Sequence, residues 1–137
     1  MNTRCGRTAL RGTAVGTAAA AAIGLAAAGA WAKSDLSFTA GPHTVRLGSS
    51  VRLAGHGADD NATFNRFCVQ QRSGKGKWAT LRCSAGDYNG GGSLKFSVRP
   101  AHRGQWQLRG VLTEASSRTS RHTWIHQVSP TVTVRVR

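Results

Sequence analysis

The chain has 137 residues, with 19 Lys+Arg against 5 Asp+Glu, a formal charge of +14, 17 glycines, 3 cysteines and 39% hydrophobic residues. This length holds one small domain and excludes a multidomain enzyme. The basic surplus points to anionic partners.

The first element in chain order is an export segment. Arg4, Arg7 and Arg11 lie in a start with no acid. Thr13 to Ala28 then run uncharged through five consecutive alanines, Ile23 and Leu25. Ala30-Trp31-Ala32 puts small residues where a signal peptidase reads them, so residues 1–32 are read as a signal-peptide helix cut before Lys33. The apolar run is too short and too alanine-rich to span a membrane, and its arginines are not adjacent, as a twin-arginine route requires. Cleavage leaves residues 33–137 as the domain. Three arginines and no acid depart, so the mature charge falls from +14 to +11. The expected localisation is extracellular, with no membrane span in the mature form.

From Val45 onward apolar and polar residues alternate at period two, and no window carries a helical repeat, so the domain is expected to be all-β. Val45-Arg46-Leu47 and Val51-Arg52-Leu53 read as short strands around a Gly48-Ser49-Ser50 turn, with Gly55-His56-Gly57 ending the second. Phe67 to Arg72 and Trp78 to Cys83 flank Ser73-Gly74-Lys75-Gly76-Lys77 as a hairpin. Leu94, Phe96 and Val98 form the next strand, stopped by Pro100, followed by Trp106 and Leu108. After a polar turn region from Glu114 to Ser120 come Trp124 to Val128, and finally Val132, Val134 and Val136.

Cys5 departs with the export segment and leaves Cys68 and Cys83. An even pair in a small exported domain reads as a disulfide. A simple turn pairs Cys68 with Cys83 but sets Val69 opposite Arg82, a mismatch that a β-bulge repairs.

About seven short strands in 105 residues suggest a two-sheet antiparallel sandwich. The segments SSVRLAGHG, CVQQRSGKGKWATL, SLKFSVRPAHRGQWQLRG and SPTVTVRVR resemble the immunoglobulin-like or fibronectin type III-like β-sandwich domains of secreted actinobacterial proteins. The resemblance spans most of residues 36–137, implies an immunoglobulin-like fold and carries no catalytic residue. Antibody-type domains bridge their two sheets with a disulfide, whereas here both cysteines flank one hairpin.

Asp35, Asp59, Asp60, Asp87 and Glu114 all fall where loops or the mature N-terminus are expected, and turn chemistry accounts for them. Asp59-Asp60-Asn61 and Asp87-Tyr88-Asn89 lack the spacing of an EF-hand. His122 and His126 on a strand stand about 13 Å apart, too far to share zinc. There is no nucleophile elbow or phosphate loop, and no cofactor or metal is expected.

The charge surplus therefore carries the functional reading: a secreted, non-catalytic binding or structural module recognising an anionic polysaccharide, teichoic acid or other polyanion. Strand alternation turns Val45, Leu47, Val51, Leu53 and their counterparts inward. Arg46, Arg109 and Arg135 then share one outer face, and Arg52, Lys95 and Arg99 the other, a spread that equally fits a basic surface serving only solubility. Arg118 and Arg121, near Trp124, add a loop cluster. Trp78 and Trp106 are expected in the core. Trp124 is expected there too, with an alternative as a stacking surface for a small-molecule or carbohydrate carrier.

Overall fold

The computed structural model describes residues 34–137, so the expected signal-peptide helix and its cleavage site lie outside the described residues. Ten strands follow in order: β1 Asp35–Gly41, β2 Thr44–Val45, β3 Val51–Ala58, β4 Phe64–Ser73, β5 Ala79–Cys83, β6 Asp87–Tyr88, β7 Gly91–Val98, β8 Gly104–Ala115, β9 Thr123–Val128 and β10 Val132–Val136. No helix occurs among the described residues. A three-stranded sheet, β1-β3-β7, packs on a larger sheet ordered β2-β10-β8-β4-β5, with β6 added to β4 and β9 to β8. Every pairing is antiparallel except the short parallel contact of β2 with β10. This is the expected β-sandwich, with the immunoglobulin-like layering of two antiparallel sheets.

The strands exceed the expected seven for local reasons. β1 alternates Leu36, Phe38 and Ala40 toward the core and lies upstream of Val45, where alternation was first read. β2 does not form a hairpin with β3; it pairs with β10 through Val45 and Val136. Leu47, expected inside, is 43% exposed because it lies beyond β2 in the following turn, where its N–H donates to the Arg137 carbonyl.

β3 also continues through the glycines expected to end it. A Cβ on Gly55 would sit 2.5 Å from Cζ of Phe67, and one on Gly110 would sit 2.7 Å from its Cε2. The Phe67 ring is fully buried and fills the space both glycines leave, one in each sheet. The glycines are thus set by close packing of the layers rather than by turn geometry. Around this ring, Leu53, Val69, Leu108 and Val134 are fully buried, and Trp106 is 5% exposed with its Nε1–H donating to Gln71 Oε1 at 2.9 Å.

The β4–β5 hairpin carries the expected disulfide, Cys68–Cys83, between facing residues 4.0 Å apart at Cα. The register pairs Val69 with Arg82 and then shifts, so that Gln70 faces Thr80. A bulge is present, as expected, but it lies beyond Val69, so the Val69–Arg82 pairing that it was expected to remove remains.

Candidate functional site

Pairing registers place β3 Val51, β4 Ser73, β8 Gly104 and β10 Val136 toward one end of the sandwich, and Ala58, Phe64 and Ala115 toward the other. Charge divides along that axis. At the first end lie Arg46, Arg52, Arg72, Lys75 and Lys77, together with Arg99, Arg103, Arg135 and Arg137. All five acids lie toward the opposite end: Asp35 pairs with Ala58, Asp59 and Asp60 follow β3, and Asp87 and Glu114 both pair with Asn65. Arg52 and Lys95 are exposed on the smaller sheet and Arg135 on the larger one, whereas Arg46 and Arg99 lie just beyond the ends of β2 and β7. The connections and turns create this segregation along the strands.

At the basic end a hollow of about 280 Å³ is lined by Gln71, Arg72, Lys77, His102, Arg103 and Trp106 among others, with no carboxylate in its wall. A second hollow, sharing Gln105 with the first, is lined by His43, Arg135 and Arg137. Low-dielectric walls carrying one sign of charge focus field lines outward.

Beside the first hollow, Trp78 lies on the outer face of the larger sheet, half-buried, instead of in the core. Arg109 stacks over its ring at 4.1 Å from Cζ to centroid and Arg72 at 4.5 Å. Arg109 Nε donates to Gln70 Oε1 at 2.9 Å and Arg72 Nε donates to Gln107. Burial, and then the charge of Arg72, lower the pKa of Arg109. The guanidiniums tolerate their proximity because the ring and the glutamines replace lost hydration. Trp78 is outward because the bulge and the loop before β5 set its parity, not the core face of β4.

The other end is built differently. Arg118 and Arg121 are exposed there, and Arg118 stacks on Phe64, which Arg66 also approaches. The five arginines singled out from the sequence therefore do not converge: Arg46 and Arg135 sit at the basic end, Arg109 sits mid-strand on Trp78, and Arg118 and Arg121 sit at the far end. Trp124 is 39% exposed rather than core, because β9 lies at the sheet margin, where Ile125 and Val128 are also exposed. Its ring neighbours His122 at 6.2 Å between centroids. The nearby hollow between Phe64, Thr113 and Thr123 holds only about 30 Å³, roughly the space of one water.

Glu114 and Asp59, expected as turn residues in loops, are buried at 5% and 6% exposure. Trp124 Nε1 donates to Glu114 Oε2 at 2.7 Å. Asn61 Nδ2 donates to both Glu114 and Asp59. His126 lies between them, Nε2 at 3.0 Å from Asp59 Oδ2 and Nδ1 at 3.3 Å from Glu114 Oε1. Asn61 Oδ1 in turn accepts from Thr63 and Asn65, and Asn65 Nδ2 also donates to the Gly90 carbonyl. Ligand atoms of Asp59, Glu114 and His126 lie within 4.8 Å of one another.

This cluster was missed, yet a signal for it was present. Trp106, Leu108, Gly110 and Leu112 share the inward parity of β8, and Glu114 is the next residue of that series. Opening the polar turn region at Glu114 took it out of the strand. Continuing the alternation would have turned it inward.

No protein-family profile matches the chain, and no curated protein does. Among solved structures it is similar in fold to part of a β-glucosidase variant from Listeria innocua in complex with laminaribiose, at 10% identity and TM-score 0.50, covering 78% of this chain and 16% of that one. It also aligns with the CARDB domain of a Pyrococcus furiosus protein in complex with di-metal ions, at 16% identity and TM-score 0.43, covering 75% of this chain and 93% of that domain. The chain thus spans a small fraction of the glucosidase, and the likeness concerns the fold.

Proposed function

We propose that the protein is a secreted, non-catalytic binding module whose basic end recognises an anionic polymer of the cell envelope or its surroundings, such as a teichoic acid. The observation that carries this reading is the axial separation of charge, with Arg72, Lys77 and Arg103 around one carboxylate-free hollow. A polymer of regularly spaced phosphates laid across that end meets several cations at once and releases its own counterions, which favours binding entropically. The half-covered Trp78 holds two guanidiniums in fixed orientation, so Arg72 and Arg109 lose less rotamer freedom on binding than free side chains would. The Cys68–Cys83 disulfide is consistent with an extracellular protein.

The test is cosedimentation with bacterial cell walls that retain teichoic acid and with walls stripped of it. Retention on the first and loss from the second, reversed by added salt, is the expected result. No retention on intact walls at roughly 0.15 M salt contradicts the reading.

A further inference from the structure

The cluster at the acidic end belongs to neither the basic hollow nor the proposed polymer contact. Asp59 follows the last strand residue of β3, Glu114 lies near the end of β8, and His126 lies in β9. Together they draw the end of the three-stranded sheet to the larger one. Both carboxylate side chains are 6% exposed, and among the described residues neither pairs with a lysine or arginine; the imidazole is their ionisable partner. This is notable in a chain with such a cationic surplus.

We propose that Asp59, Glu114 and His126 form a binding site for one divalent transition-metal ion of the zinc class. Charge is the first argument. Asp59 and Glu114 are two buried carboxylates with no lysine or arginine partner among the described residues, and one divalent ion matches the charge of such a pair.

The donor chemistry is the second argument. Imidazole with two carboxylates suits zinc and its neighbours, while calcium takes six to eight oxygens and gains little from a ring nitrogen. Spacing is the third. Zinc bonds of about 2.0–2.2 Å in tetrahedral geometry separate donor atoms by roughly 3.3–3.5 Å, and one ligand atom from each of Asp59, Glu114 and His126 lies within 4.8 Å of the others, so small side-chain rotations close the set. Only one ring nitrogen can take the ion, so the carboxylate now on the other nitrogen turns from it onto the metal.

The outer contacts needed to hold ligands are already in place. Trp124 Nε1 fixes Glu114 Oε2, Asn61 bridges both acids, and Asn65 anchors Asn61. Such outer partners orient ligands and tune affinity. The His126 side chain, 35% exposed, leaves a way in for the ion.

The experiment is calorimetric titration of zinc chloride into the full, untagged chain after chelator treatment and buffer exchange, with the melting temperature followed alongside. One ion per chain and a raised melting temperature are expected. His126→Ala abolishes both effects, and Trp124→Phe weakens binding by about tenfold. Near-UV circular dichroism confirms that each variant is folded. Absence of zinc binding by the folded chain overturns the proposal, as does binding undiminished in His126→Ala or a response to calcium alone. Because the site lies opposite the basic end, loss of zinc binding leaves teichoic-acid retention unchanged, and the two readings fail separately.

Discussion

Phe67 stands directly over Gly55 across the two sheets, so close that a methyl group on the glycine would fall 2.5 Å from the ring's Cζ. The same position also presses on the backbone carbonyl of Ser37, again at 2.5 Å. Gly55→Ala therefore forces the sheets apart or the ring off its rotamer. A destabilisation of about 1–3 kcal/mol in urea unfolding is expected. A change within about 0.5 kcal/mol, the usual range for a surface substitution, would show that the ring is not held as described.

Cys68 and Cys83 close a loop of sequence separation 15. Constraining the unfolded chain by that loop contributes about 3 kcal/mol. The double variant Cys68→Ala, Cys83→Ala should lose stability of that order, and reduction of the native chain should have a similar effect. If the doubly substituted chain unfolds at the same urea concentration as the oxidised native one, the cross-link contributes nothing.

The Arg109–Trp78 stack makes a prediction that neither residue makes alone. In a double-mutant cycle built from Trp78→Leu and Arg109→Met, a coupling energy of about 0.5–1 kcal/mol is expected in equilibrium unfolding. Additive effects would mean that the guanidinium and ring are neighbours without interaction. Fluorescence of the remaining tryptophans, Trp106 above all, reports unfolding in every variant.

Much of the fold was legible because its causes are local. Alternation in Leu94–Val98 and Val132–Val136 turned the right side chains inward, and the mismatch at Val69 pointed to the bulge. The failures share a physical origin in strand ends and edges. Leu47, Trp124 and Glu114 lie where a strand has just ended, runs along a sheet margin or continues further than its neighbours, and there burial depends on which partner covers the residue. Gly55 read as a terminator because its role is to admit Phe67 from the other sheet. The meeting of Asp59, Glu114 and His126 required three separate segments to come together, and no spacing in the sequence encodes that. The basic end was hidden in the same way: its cations are scattered in sequence and are gathered only by turns at one end of the strands.

The separation of charge is the central claim, and it is tested by comparing two sets of exposed substitutions. One variant carries Lys77→Glu, Arg103→Glu and Arg135→Glu at the basic end. The other carries Lys95→Glu, Arg118→Glu and Arg121→Glu elsewhere, with the same change in net charge. The measurement is the affinity for purified teichoic acid as a function of salt. The account predicts that the first variant loses most of its affinity and that its log–log salt slope shrinks by about one unit per phosphate contact removed, while the second stays near the native chain. Equal losses in both variants would mean that total charge alone governs binding, and would contradict a recognition surface at the basic end.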